Sequence, residues 1–320
     1  MPSAPGELID VEGCRLHLYQ QGAGNPTVVL EAGLAGSLLG WSLVQPKIAQ
    51  FTRVCSYDRA GLGWSDKCTG PRTVPQMVAE LAALLTRASV PPPYVLVGHS
   101  FGGLLIRAYA FHRPHEVAGL VFIDPVSLET WARCDTAARS RLENGARLSR
   151  RGALLARIGL VRFALWVLAS GSTRFPKLVA RASAGQGAST LERLTGEVRR
   201  LPPEVWPILR SHWSGPKCFE AMADYLDCLP EAASSALSMP LPPELPFTVL
   251  SAGNATPAEI LERDTWLAGG SRGTHLRVEN SAHWIQLEQP DTVVSAVRDI
   301  VKEVRAENRK PSAAEATEGF

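Results

Sequence analysis

Apolar and polar positions alternate along "CRLHLYQQG", the period of a strand with one face buried, and the run ends at a turn. "TVVLEAG" (Thr27 to Gly33) and "RVCSYD" (Arg53 to Asp58) are short β-branched or apolar runs that lead into glycine-rich loops. "VPQMVAELAALLTRA" then repeats its apolar residues at helical spacing, and "PYVLVGHS" reads again as a strand. "GLLIRAYAFHRP" is a helix closed by Pro114, and "VAGLVFIDP" is a strand closed by Pro125. Strands alternating with helices in this way predict an α/β fold: a mostly parallel central sheet flanked by helices, with right-handed crossovers.

After Pro125 the rhythm breaks. From about residue 127 to 245 the chain reads as helices and loops rich in Arg and Trp, closed by "MPLPPELP". "FTVLSAG" (Phe247 to Gly253) restores a strand, "HLRVEN" gives another, and "DTVVSAVRDIVKEVRA" makes a final amphipathic helix. The expected organisation is an α/β core of residues 1–126 and 246–306 with a helical insertion at 127–245. Residues 307–320 form a tail whose small polar composition predicts no fixed structure.

Composition changes this picture little. The chain has 320 residues, 45% hydrophobic and 20% charged, with a net charge of +2, which fits a globular protein and gives no sign of nucleic-acid binding. "MPSAPGELID" has neither a basic n-region nor an apolar h-region, so no signal peptide is expected. Six cysteines lie far apart without a CxxC and are expected to be reduced thiols, which makes a cytoplasmic protein the default. One local bias stands out: from Arg139 to Arg181 there are ten Lys/Arg against one acid, Glu143, around the apolar stretch Ala153 to Ala169. Two central arginines there cost roughly 5 to 7 kcal/mol in a bilayer, while ten apolar residues return roughly 3 to 6, so spanning is disfavoured. A helix lying on a lipid surface stays open, with a buried helix carrying arginines at its rim as the favoured reading.

The candidate chemistry lies in "YVLVGHSFGG". Ser100 stands where a strand must turn sharply into a helix, and side chains two residues before and after it would collide with each other and with neighbouring strands. Gly98 and Gly102 remove that clash. The turn lifts the hydroxyl above the sheet at a helix N-terminus, where free N–H groups favour a developing oxyanion. With a strand before it and a helix after it, the G-x-S-x-G has the context of a nucleophile elbow. At this point the sequence resembles the α/β-hydrolase family. "VVLEAGLAGSLLGW", "VCSYDRAGLGWSD", "YVLVGHSFGGLLIRAYA" and "VENSAHWIQLEQPDTV" match, in order, that family's oxyanion loop, glycine-rich loop, nucleophile elbow and histidine loop.

The resemblance implies the partners of Ser100. Of seven histidines, His283 sits in the loop between a late strand and the final helix, where the family carries its base. His99 reads as packing, and His17, His112, His115, His212 and His275 match nothing catalytic. The oxyanion donors would be the backbone N–H groups of Phe101 and Leu34. The family's acid usually follows the strand equivalent to "FTVLSAG", but Asn254 stands there. Asp124, at the end of "VFIDPV", is the favoured replacement, with Glu259 as the alternative and Asp264 behind it. Asp58 reads as structural loop chemistry. The implied activity is a serine hydrolase cleaving a carboxylic ester with an apolar portion through an acyl-enzyme, with no metal and no cofactor. Acyl transfer, cleavage of other acyl or carbon–carbon bonds on the same group, and a non-catalytic ligand-binding role are the alternatives. The insertion would act as a cap, with some of Trp131, Phe163, Trp166, Trp206, Trp213, Phe219 and Tyr225 lining an apolar pocket above Ser100.

Overall fold

A computed structural model describes residues 4–169, 200–268 and 272–307, so the expectation for the tail beyond residue 307 lies outside the described residues. The strands are β1 (Glu7–Val11), β2 (Cys14–Gln21), β3 (Thr27–Glu31), β4 (Val54–Asp58), β5 (Tyr94–His99), β6 (Val117–Ile123), β7 (Phe247–Ala252) and β8 (Gly273–Val278). They form one eight-stranded sheet in the order β1-β2-β4-β3-β5-β6-β7-β8. β2 pairs antiparallel with both β1 and β4, and every other pairing is parallel. The strand β1 escapes the sequence pattern because it is short and mostly exposed on both faces.

The helices are α1 (Gln45–Ile48), α2 (Val74–Arg87), α3 (Phe101–His112), α4 (Leu128–Ala132), α5 (Thr136–Arg157) and α6 (Leu160–Ala169). After the undescribed residues 170–199 come α7 (Trp206–Trp213), α8 (Pro216–Leu237), α9 (Pro257–Ala268), α10 (Ile285–Glu288) and α11 (Pro290–Glu307). Both faces of the central sheet are covered, which is why its strands read as continuous apolar runs rather than strict alternations. Alternate residues still go to opposite layers. Leu96 and Phe122 join a core with Leu81 of α2, Leu105 of α3 and Tyr225 of α8. Val95, Val97, Val121 and Ile123 pack against Val293, Val297, Ile300 and Val301, the apolar stripe of α11.

Register brings the chemistry to one edge. Glu31 of β3 pairs with Gly98 of β5, His99 with Ile123 of β6, and Ile123 with Leu250 of β7. The loops carrying Gly33, Ser100, Asp124 and Gly253 therefore leave the sheet side by side, as ligand-bearing loops do at the carboxyl ends of parallel strands.

Between β6 and β7 the described insertion is helical. Asp135 caps α5, its side chain accepting from the Ala138 N–H at 2.6 Å. Arg150–Asp227 and Arg157–Glu220 ion pairs join α5 to α8. α8 in turn docks on the core, Lys217 donating to the carbonyls of Gly63 and Ser65. The favoured reading of α6 as a buried helix needs correction. Phe163 and Trp166 are exposed, as are Leu154 and Ile158 just before them, so an apolar face rimmed by arginines points outward. Among the described residues no helix is long and apolar enough to cross a membrane.

The cysteine expectation also needs correction. Cys14, at the start of β2, and Cys68, in the loop after β4, form a disulfide across 54 residues with Cα atoms 5.3 Å apart. Cys55, Cys134, Cys218 and Cys228 are free. Disulfides persist in oxidising compartments, so the pairing removes one ground for the cytoplasmic expectation. Closing a loop of this length stabilises by roughly 2–4 kcal/mol. Cys14→Ser should lower the unfolding free energy extrapolated from urea titration by about that amount under non-reducing conditions, and an unchanged urea midpoint would contradict a formed disulfide.

Candidate active site

Ser100 begins the turn from β5 into α3 with φ 53° and ψ −118°, a left-handed conformation that a side-chain-bearing residue adopts only under constraint. Its N–H donates to the Ile123 carbonyl at 2.9 Å, tying the elbow to β6. A Cβ on Gly98 would stand 2.5 Å from the Gly102 carbonyl oxygen, and one on Gly102 would collide with the backbone of Glu31 and Ala32. Both glycines are therefore demanded by close approach, to each other and to the neighbouring strand.

His283 lies in the loop after β8 and meets Asp124, its Nδ1 standing 2.7 Å from Asp124 Oδ2. A proton on Nδ1 donated to that carboxylate leaves Nε2 as the free acceptor, the state a general base requires. Asp124 itself has φ 38° and accepts at Oδ1 from the Ala252 N–H (3.0 Å) and from Arg263 Nη1 (2.9 Å). Burial pushes its carboxyl up, but the His283 hydrogen bond and the Arg263 charge outweigh it and hold the group below the ordinary carboxylate range. It is ionised at neutral pH. The structure does not bring the other acids here. Glu259 makes a reciprocal capping box with Thr256 at the start of α9, accepting from its N–H at 2.8 Å and donating back to its hydroxyl. Asp264 pairs with His275 Nδ1 at 2.6 Å.

His99 does more than pack. It is fully enclosed, with its ring against those of His283 (4.7 Å between centroids) and Trp284 (4.9 Å), and its Nε2–H donates to the His283 carbonyl at 2.8 Å. Burial and then repulsion by His283 push its pKa down to about 3, so it stays a neutral donor. The residue before Ser100 thus fixes the backbone of the histidine loop.

The expected oxyanion loop is held by a residue that the sequence gives no local reason to single out. Arg59 is buried, pairs with Glu31 and donates to the carbonyls of Ala32 (2.6 Å), Gly33 and Leu34 (2.8 Å). Tyr57 donates to the same Glu31 carboxylate. In a planar trans peptide the N–H points opposite to the C=O, so fixing the Gly33 carbonyl turns the Leu34 N–H away from Arg59. That N–H has no partner among the described residues, and a Cβ on Gly33 would lie 3.6 Å from Ser100 Cβ. Phe101 is the first residue of α3, so its N–H is one of the helix's unpaired donors. Tyr225 of α8 lies under the Arg59 guanidinium at 5.0 Å and donates to the Ala60 carbonyl, linking the insertion to this network.

Beside the histidine loop, Leu38, Leu39, Leu209 and Leu287 form an apolar cluster with Trp206, Trp213, Trp64 and Trp284. Asp58 sits beneath it and is engaged throughout. Its oxygens take the N–H groups of Leu38 (2.9 Å) and Trp64 (3.0 Å) and face His17 Nδ1 at 3.1 Å. His17 is fully buried with Nε2 against the Pro5 carbonyl, so this second His–Asp pair has no nitrogen left for chemistry.

Residues 26–154 match the family described as alpha/beta hydrolase fold. A solved structure from Pseudomonas aeruginosa, provisionally described as an epoxide hydrolase, superposes with a TM-score of 0.72 over 96% of this chain and 98% of that one, at 17% identity. With the eight-stranded sheet and the strand–turn–helix at Ser100, this shows that the chain has the α/β-hydrolase fold. Among curated relatives, the uncharacterized protein YqjL of Bacillus subtilis is 36% identical over 116 residues, 36% of this chain and 46% of its own length. The 2-hydroxy-6-oxo-2,4-heptadienoate hydrolase of Pseudomonas putida is 32% identical over 126 residues, 38% of this chain and 45% of its own. The chain thus spans less than half the length of these two relatives.

Breaking a buried ion pair by removing one partner typically costs about 3–5 kcal/mol. Arg59→Met should therefore destabilise the protein by that order in urea denaturation, and a loss below about 1 kcal/mol would contradict the account of the loop.

Proposed function

We propose that this chain is a serine hydrolase acting on carboxylic esters with an apolar portion. The observation that carries the reading is the His283–Asp124 pair at 2.7 Å, at the sheet edge where the strained Ser100 turn opens α3. In this reading His283 Nε2 takes the Ser100 proton as Oγ attacks the ester carbonyl, and Asp124 stabilises the imidazolium formed. The N–H groups of Phe101 and Leu34 receive the oxyanion, the alcohol departs with the proton from His283, and water activated by His283 releases the acid from the acyl-serine. The cluster of Leu39, Trp206, Trp213 and Trp284 is the support for an apolar substrate portion, and the helices between β6 and β7 serve as the cap. Similarity to a hydrolase of 2-hydroxy-6-oxo-2,4-heptadienoate favours carbon–carbon bond hydrolysis on the same three side chains as a second reading.

The test is labelling by a fluorophosphonate probe together with hydrolysis of p-nitrophenyl butanoate. Labelling is expected in the wild type and lost in Ser100→Ala; folded wild type that does not label would sink the reading. Asp124→Asn should lower kcat by roughly 10³–10⁴-fold. Glu259→Gln should leave kcat within about twofold, because its partner is Thr256. A collapse in the second variant and not the first would exclude Asp124 as the acid.

A further inference from the structure

We propose that Arg263 is a positioning residue of this site: it grips Asp124 by Oδ1 so that Oδ2 is presented to His283, and its charge opposes protonation of that histidine. The proposal rests on the reading of Asp124 and His283 given above.

Arg263 is 2% exposed on α9, the helix that follows the strand where the family's usual acid would stand. A buried guanidinium is costly unless paired, and its ion-pair partner among the described residues is Asp124. Nη1 donates to Asp124 Oδ1 at 2.9 Å and to Ser251 Oγ at 2.6 Å, while Nη2 donates to the Pro125 carbonyl at 2.7 Å. The fork therefore clasps both the side chain of Asp124, a residue of positive φ, and the carbonyl of the Pro125 that follows it. Docking of α9 is served separately by the adjacent Glu262, whose carboxylate takes Ser127 Oγ at 2.5 Å and the Leu128 N–H at 2.7 Å. Arg263 is thus aimed at the acid, with helix attachment already supplied by its neighbour.

A further set of contacts holds Arg263 itself. Ser251 Oγ accepts from Arg263 and also meets His275 Nε2, 2.7 Å away. The other ring nitrogen of His275, Nδ1, faces Asp264 Oδ1 at 2.6 Å. The charged and titratable groups around the clasp are therefore Asp124 from β6, His275 from β8 through Ser251, and Glu262 and Asp264 from α9 itself. Asp124 also faces His283, and His99 of β5 feels its charge. With Arg263 present the acid carries a second cation, so adding a proton to His283 gains less from the carboxylate than it would from Asp124 alone.

The experiment measures kcat and kcat/KM for p-nitrophenyl butanoate against pH in the wild type, Arg263→Met and Arg263→Lys, with active sites counted by fluorophosphonate labelling. Arg263→Met should lower kcat about 10–100-fold with KM within about twofold, because the acid is misplaced while the substrate pocket is intact. The acidic limb of its kcat/KM profile should move to higher pH. Arg263→Lys, which keeps the charge but not the fork, should return the limb to its wild-type place while kcat stays reduced at least about threefold. An active wild type alongside a folded Arg263→Met with unchanged kcat and limb overturns the proposal alone. So does a loss of kcat in both variants with the limb unmoved in Arg263→Met, the signature of a merely structural arginine. Should Arg263→Met not fold, the Lys variant decides: wild-type kcat in Arg263→Lys overturns the positioning role, and reduced kcat with the limb in place supports it. A wild type that neither labels nor hydrolyses removes the functional reading and this proposal with it.

Discussion

The Asp124 carboxylate is a charge buried at the edge of the sheet, and it survives there because both of its oxygens are occupied. Oδ2 faces His283, while Oδ1 takes the Ala252 N–H and the Arg263 guanidinium. An unpaired carboxylate in that position would be expelled or protonated. Four parts of the fold must therefore arrive together: the end of β6, the end of β7, α9 and the loop after β8. The strand order, with β7 between β6 and β8, is what brings them within hydrogen-bond reach. The same constraint explains a positive φ at a residue that carries a side chain, since Arg263 holds the Pro125 carbonyl as well as the acid.

Glu31 and Arg59 apply the same logic on the other side of Ser100. Here the buried cation is spread over three consecutive carbonyls, so the loop after β3 cannot rearrange without stripping donors from a guanidinium that water does not reach. Tyr225 brings α8 against this guanidinium, and α8 carries α5 through its ion pairs. The insertion and the loop beside Ser100 are in this way parts of one packed unit. Two buried ion pairs, one flanking each side of the elbow, hold the loops that surround it.

Much of this was legible in the chain. The central strands and α11 declare themselves through apolar runs and the 3-4 stripe of Val293, Val297, Ile300 and Val301, because burial on both sheet faces leaves little room for polar residues. Ser100 and its glycines were legible because a sharp strand-to-helix turn restricts residue choice locally. Asn254, out of place beside the family pattern, pointed to Asp124, where a carboxylate and the histidine do meet. The features that stayed hidden are pairings over long separations with no local signature. Arg59 reaches back to Glu31, Arg263 reaches back 139 residues to Asp124, and Cys14 joins Cys68 across 54. Glu259 looked available as an acid, yet T-x-x-E was already the sign of a helix cap. The apolar run around α6 suggested burial, but nothing in its pattern tells whether its partner surface is protein or solvent.

The central claim is that His283 is oriented by Asp124, and the proton between them can be observed directly. A proton NMR spectrum of the uniformly nitrogen-15-labelled protein should show a far-downfield imidazole N–H resonance from His283 Nδ1, deshielded by the charged hydrogen bond to Asp124. The account predicts that this signal is lost in Asp124→Ala and in His283→Ala and kept in Glu259→Gln. A signal that survives in Asp124→Ala, or that disappears in Glu259→Gln, would contradict it.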